Sequence, residues 1–268
     1  MFARMLILSV LLVSLSFSVH VISPVDREVE NGDVIDLGTI GPGQTISILI
    51  DPIVTTGGVH GSGGTFDQAE ASALPRDWIS QPSELYDKPL QVTITANPDA
   101  PEGDYNFTVN VIDEYNGEEL GNVKVTAKVH ITWDVMDFDV SPAYMQVGPG
   151  QPARFEITIM NKGSTSDLFT VSATGAKRWE FVKPVFVPAQ SSKTIHYEIV
   201  GAEEEAYKAT IKVASHASPK IVDEKNVTLF VRSDLLGDYK ATNHGTLVFQ
   251  IFEAPVYAFA GLISNFFG

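Results

Sequence analysis

Residues 97–111 read NPDAPEGDYNFTVNV, and the two ends of this stretch obey different rules. Tyr105, Phe107, Val109 and Val111 share one parity, while Asn106, Thr108 and Asn110 share the other. A side-chain period of two sends the first set to a core face and the second to water. Ahead of this strand, Pro98, Pro101 and Gly103 mark a turn. Asp99, Glu102 and Asp104 therefore fall at a corner, and acidity at a corner does not by itself make a site for an ion or a sugar.

That corner belongs to a unit that occurs twice. GPGQ at residues 41–44 returns at residues 148–151. TISILI follows the first copy, and ARFEITI follows the second. Each half then carries a Trp behind a basic residue, in LPRDW ending at Trp78 and GAKRW ending at Trp179. An alternating strand comes next, LQVTIT or KTIHYEI, and after a turn a strand led by Tyr105 or Tyr207. The closing strands are VKVTAKVHI and KNVTLFV. The landmarks keep one order in both halves, which is the mark of a duplication.

Short alternating strands between Gly and Pro, with no amphipathic helix among them, predict sandwiches of antiparallel sheets. A Tyr opening the next-to-last strand fits a tyrosine corner, whose hydroxyl bonds backbone a few residues upstream. Trp78 and Trp179 read as structural plugs of the two cores. The alternative is exposed platforms for sugar rings, a role that Trp133 would share if it were exposed. With GPGQ, a downstream Trp and then APEGDY, the chain resembles the tandem bacterial and archaeal immunoglobulin-like cell-surface domains found beside glycosidases (alpha-galactosidase-associated type). MNKGSTSDLFTVSA, residues 160–173, is similar to the second-strand turn of those domains. The resemblance implies a fold and a cell-surface setting, and it carries no catalytic residues. The second half departs from it at the corner, where EEEAY replaces APEGDY.

The expected chain is all-β. Residues 1–18 read as a signal peptide, 19–133 as an immunoglobulin-like sandwich with a glycine-rich insertion, 134–233 as a second sandwich, and 234–268 as a linker and apolar tail. Arg4, the apolar run over residues 5–13 and the small residues Ser16 and Ser18 carry the signal-peptide reading. At 268 residues the chain has room for about two domains, and an apolar content of 44% suits packed cores. A net charge of -15 argues against nucleic acid as a partner and against attraction to anionic lipid. The absence of cysteine excludes disulfides, thiolate metal sites and a cysteine nucleophile.

The candidate sites are few. Gly57, Gly58, His60, Ser62 and Gly63 lie in the insertion and read as a flexible loop able to make contacts. The HGSGG within it lacks the spacing of a G-x-S-x-G nucleophile elbow. Asp134, Asp137 and Asp139 cluster between the halves, and Asp113, Glu114, Glu118 and Glu119 surround a hairpin. Neither cluster follows a calcium-loop pattern, so both read as solvated acids, and no metal or cofactor is expected. No nucleophile, base and orienter emerge as a set, so no enzyme is expected. Asn106 and Asn226 begin glycosylation sequons on outward positions.

The C-terminal stretch carries a single formal side-chain charge, Glu253, from residue 246 onward. Phe252, Val256, Tyr257, Phe259, Leu262, Ile263, Phe266 and Phe267 form its apolar content, and Pro255 suits the start of a short helix. Burial is worth ~1.5–3 kcal/mol per large apolar side chain, so the tail is expected to contact a membrane or a partner subunit. The expected function is that of an exported, non-enzymatic cell-envelope module for structure or interaction with other envelope proteins. A glycan-binding accessory role beside a surface enzyme or transporter is the alternative.

Overall fold

In the computed structural model the described residues are 18–58, 61–113, 120–176 and 178–233. Every regular element among them is a strand. The first described strand is Val19–Ser23, which lies between Arg27–Val29 and Thr45–Ile50. Leu90–Thr95 and Ile79–Gln81 complete that five-stranded sheet. The second sheet of this half runs Val34–Ile40, Val123–Ile131, Gly103–Ile112, Gln68–Ser72. In the other half, Met136–Ser141, Pro152–Asn161 and Ser191–Val200 form a three-stranded sheet. Its companion runs Tyr144–Val147, Val222–Val231, Ala206–Ser215, Asp167–Thr174, Phe181–Val187.

The two halves share most of one topology and differ at the strand after the Trp: Ile79–Gln81 pairs with Leu90–Thr95 in the first sheet of its half, whereas Phe181–Val187 pairs with Asp167–Thr174 in the second sheet of the other. In each, an early strand crosses to the second sheet and lies parallel to the last strand: Val34–Ile40 on Val123–Ile131, and Tyr144–Val147 on Val222–Val231. The remaining pairings between these strands are antiparallel. This division of strands between two sheets is that of an immunoglobulin-like sandwich.

Alternation decides what is buried. Phe155, Ile157 and Ile159 are fully enclosed, while Arg154, Glu156 and Met160 between and beside them face out. Phe107, Val109 and Val111 do the same in the first half, opposite Val125 and Ala127 of the neighbouring strand. Two separate apolar clusters result, one from residues 19–131 and one from residues 138–231.

The plugs and corners are similar in the two halves, though not identical. Trp78 is buried, its ring 5.4 Å from that of Tyr105 and 6.2 Å from that of Phe107. Trp179 is only half-buried against the second core. The Tyr105 hydroxyl donates to the Pro101 carbonyl at 2.9 Å. At the second corner the sense is reversed, and the Glu203 N–H donates to the Tyr207 hydroxyl over 3.4 Å. The residue type explains this: Pro101 has no N–H to give, and Glu203, at the same place in the repeat, has one.

The glycine-rich insertion, expected as a flexible loop, forms a short ribbon over its described part. Ile53–Val54 pairs with Gly64–Thr65, and Gly57 bridges Ser62. Gly63 has φ +73°, and a Cβ there would meet the Val54 carbonyl oxygen at 2.0 Å. The ribbon closes only because that residue has no side chain. His60 lies outside the described residues, as do Phe252, Val256, Tyr257, Phe259, Leu262, Ile263, Phe266 and Phe267.

Two tests follow from the tyrosines. Tyr105→Phe should lower stability by about 1 kcal/mol in urea unfolding, with a smaller loss for Tyr207→Phe, whose bond is long and weak. Tyr197 is the opposite case: its hydroxyl is buried with no hydrogen-bond partner among the described residues. Burial first, and then the Glu180 carboxylate, push its phenol up to about 12. Because the folded chain holds this proton more tightly than the unfolded one, the contribution is intact below pH ~10 and is lost between ~10 and ~12. Tyr197→Phe should match or exceed wild-type stability at neutral pH and flatten the alkaline limb of a thermal-melt series.

Candidate functional site

The acidic corner at residues 97–104 lies at the junction of the two sandwiches. Glu102 Oε1 accepts the Thr132 hydroxyl at 2.6 Å and the Trp133 N–H at 2.9 Å. These bonds, the Thr132 one foremost, hold its carboxyl below the usual carboxylate range. The glutamate thereby clamps the chain where it leaves the first sandwich. Asp99 reaches across to Lys220 of the second sandwich at 2.7 Å, and the Lys220 ammonium stands 6.0 Å from the Trp133 ring centre. Asp104 pairs with His130 on the neighbouring strand at 2.7 Å. Each of the three acids has a structural partner.

At the centre of the junction lies the first GPGQ turn. Gln44 folds back so that its Oε1 accepts the Gly41 N–H at 2.7 Å, and its Nε2 donates to Asp167 Oδ2 of the other half at 2.6 Å. The same carboxylate oxygen accepts the Ser215 hydroxyl at 2.7 Å, and Oδ1 accepts the Leu168 N–H. Gln44 is 1% exposed and Asp167 6%, so this is a buried carboxylate satisfied by polar donors from both sandwiches.

Backbone contacts flank the node. Ser164 N–H donates to the Thr39 carbonyl at 2.7 Å, and the Thr39 N–H returns a bond to Ser164 Oγ at 2.8 Å. Thr165 Oγ1 donates to the Thr45 carbonyl at 2.7 Å. The close approach needs glycine: a Cβ on Gly43, at φ +78°, would meet the Ala217 carbonyl oxygen at 2.4 Å. Gly41 packs under Ile221 and Val135, both buried. The turn MNKGSTSD, expected only as a strand reversal, thus supplies half of an interface.

The acidic clusters separate into individual pairings. Asp134 pairs with Lys162, and Asp139 pairs with Lys225 at 2.9 Å. Asp113, grouped by sequence with solvated acids, is instead buried, and its Oδ2 accepts the Leu120 N–H. It closes the base of the hairpin, a role that composition around residue 117 does not reveal. Among the described residues no group of three His, Asp or Glu is placed to hold a metal ion. Asn106 and Asn226 are exposed, and Asn226 Oδ1 accepts the Thr210 hydroxyl at 2.8 Å.

Two surface features remain. A cleft of about 410 Å³ at the far end of the second sandwich is lined by Arg178, Trp179, Glu203, Glu205, Tyr207 and Lys208, among others. The edge strand Phe181–Val187 turns Val182 (73% exposed) and Phe186 (54%) outward, with Leu168 beside Phe186 on the next strand.

No family model matches the chain, and no curated protein matches it. Among solved structures, a chimeric tandem fragment of titin covers 82% of this chain and 99% of its own at 12% identity and TM-score 0.38. Another pair of titin immunoglobulin domains gives the same coverages at 9% identity and TM-score 0.29. A CARDB domain from Pyrococcus furiosus, solved with di-metal ions, covers 37% of this chain and 91% of its own at 15% identity and TM-score 0.28. At these values the likenesses assign no activity or partner.

Gln44→Leu keeps the volume of the side chain and removes its amide, stranding Asp167 on one side. It should cost about 1.5–3 kcal/mol in urea unfolding, the range for a bond to a charged group. The exposed Gln91→Leu, on the neighbouring strand, should stay within about 0.5 kcal/mol of wild type.

Proposed function

We propose that this chain is a non-enzymatic interaction module of the cell envelope, two immunoglobulin-like sandwiches held as one stiff unit and kept at the membrane by the C-terminal segment. The observation that carries the reading is the junction. A swivelling linker needs no buried carboxylate, whereas here Gln44 of the first sandwich completes the donor set that Ser215 and Leu168 of the second begin around the buried Asp167. Interfaces between domains of one chain default to relative motion unless they are well packed. A stiff pair suits a part that sets distance and orientation between a surface and a partner. Val182, Phe186 and Leu168 on the outer edge offer that partner an apolar strip.

Export and membrane attachment rest on the sequence: the apolar run after Arg4, and the nearly uncharged stretch from residue 246. With a net charge of -15, the body does not favour anionic lipid, so attachment would be apolar and insensitive to salt.

A glycan-binding accessory role, in keeping with the resemblance to glycosidase-associated domains, has one observation in its favour: Trp133 is 50% exposed. The Lys220 ammonium near its ring and the Glu102 clamp on its N–H give that residue a structural use as well.

Fractionation of cells expressing the full chain tests the main reading. The protein should pellet with membranes and resist a high-salt wash, and deletion of residues 246–268 should release it in folded form. Recovery of the full chain as a soluble monomer would refute the attachment. Trp133→Ala should leave retention on immobilised polysaccharides unchanged, and a selective loss would favour the glycan role.

A further inference from the structure

The strand after the tryptophan joins different sheets in the two halves, and the difference leaves one edge uncovered. In the first half, Ile79–Gln81 lies along the outer side of Leu90–Thr95, with Ile79 opposite Thr95 and Gln81 opposite Thr93. In the second half, Phe181–Val187 has moved to the other sheet, beside Asp167–Thr174. Ser191–Val200 holds the place of Leu90–Thr95 in the repeat. It is therefore the edge of a three-stranded sheet, and no described strand pairs with its outer side.

This edge is the longest and the most regular among the described strands. It runs for 10 residues, against 7 for Val34–Ile40 and 7 for Phe181–Val187. Val34–Ile40 shifts register against its neighbour, and Phe181–Val187 contains Pro184. Ser191–Val200 has neither proline nor glycine, and its register with Pro152–Asn161 is unbroken from end to end. Every second residue of an antiparallel strand turns its N–H and C=O away from its neighbour, so this side is a template for one more strand.

We infer that Ser191–Val200 pairs antiparallel with the same strand of a second copy of this chain, joining two three-stranded sheets into one. The strand carries opposite charges near its two ends, Lys193 and Glu198. Antiparallel self-pairing brings Lys193 of each copy near Glu198 of the other, whereas parallel pairing sets like beside like. Ile195, Tyr197 and Ile199 stay on the core side of the joint sheet when the two-fold axis passes through a residue, at Ile195 or His196 in mid-strand. A free peptide fits less well. Strand addition by a peptide takes its specificity from pockets beside the edge, and the cleft lined by Trp179 meets this strand only at its last residue, Val200. A second copy brings a strand already ordered in its own sheet, so little conformational freedom is lost on pairing. Because a two-fold contact uses the same edge on both copies, assembly closes at the dimer.

Cross-linking of the full-length chain in mild detergent tests this. The chain has no cysteine, so a single introduced thiol reacts without background. His196 and Ser192 are both exposed on the outward face. In the dimer the two copies of residue 196 come within ~8 Å of each other. Those of residue 192 stand ~20 Å or more apart, at ~3.4 Å per residue. A short bis-maleimide should therefore link two chains of His196→Cys, with at least ~10-fold less dimer from Ser192→Cys. Adding Lys193→Glu to His196→Cys should lower the yield about two-fold or more, because like charges then meet. Equal yields from the two thiols would mean chance collision and overturn the inference, as would a chain that stays monomeric. An unchanged yield with Lys193→Glu overturns the antiparallel arrangement. Loss of the dimer on removal of residues 246–268 overturns the pairing in favour of assembly through that segment. None of these readouts needs the protein to be bound to a membrane, so the proposed attachment can fail while this pairing stands.

Discussion

Asp167 is the group on which the arrangement of the two sandwiches turns. A carboxylate removed from water is tolerated only when donors surround it, and this one draws them from two directions. Leu168 and Ser215 come from its own sandwich, and Gln44 comes from the other. Gln44 is itself held by the turn it closes, so the shape of GPGQ, the place of the carboxylate and the relative position of the sandwiches are one constraint. Gly43 and Gly41 have their small size from the same cause, since the turn must come within contact of Ala217 and Ile221.

Seen from the junction, the acidity of the chain is partly organised. Asp99, Glu102 and Asp134 each sit on a lysine or on backbone N–H groups near the seam. Exposed pairs of this kind contribute little each to stability, with ~0–1 kcal/mol the usual range. Their use is in register, because they fix where one sandwich meets the other while the buried node supplies the specific fit.

The inner strands were legible in the sequence because burial on one face imposes a period of two, and because the duplication allowed four of them to be read twice. Phe107, Val109 and Val111 needed no structure to be placed inside. The junction was not legible, for a physical reason. Gln44 and Asp167 lie 123 positions apart, and neither residue type announces burial; the glutamine reads as turn chemistry and the aspartate as a strand start. Asp113 failed in the same manner: it reads as a solvated acid in an acidic protein, and only the position of the Leu120 N–H gives it its buried role. The pairing of Ile53–Val54 with Gly64–Thr65 was not legible in the glycine-rich insertion, because glycine permits both mobility and tight closure.

The edge strand Phe181–Val187 has a bearing on how such chains behave when crowded together. A strand at the edge of its sheet with outward Val182 and Phe186 is a template for zipping sheet to sheet when molecules are crowded. The strand carries its own safeguard in its middle, where Lys183 sets a charge and Pro184 lacks an amide hydrogen. Continuous ladder growth from one molecule to the next is thereby interrupted, while the side chains stay available for a partner that docks by its surface. Crowding without polymerisation is the property this confers.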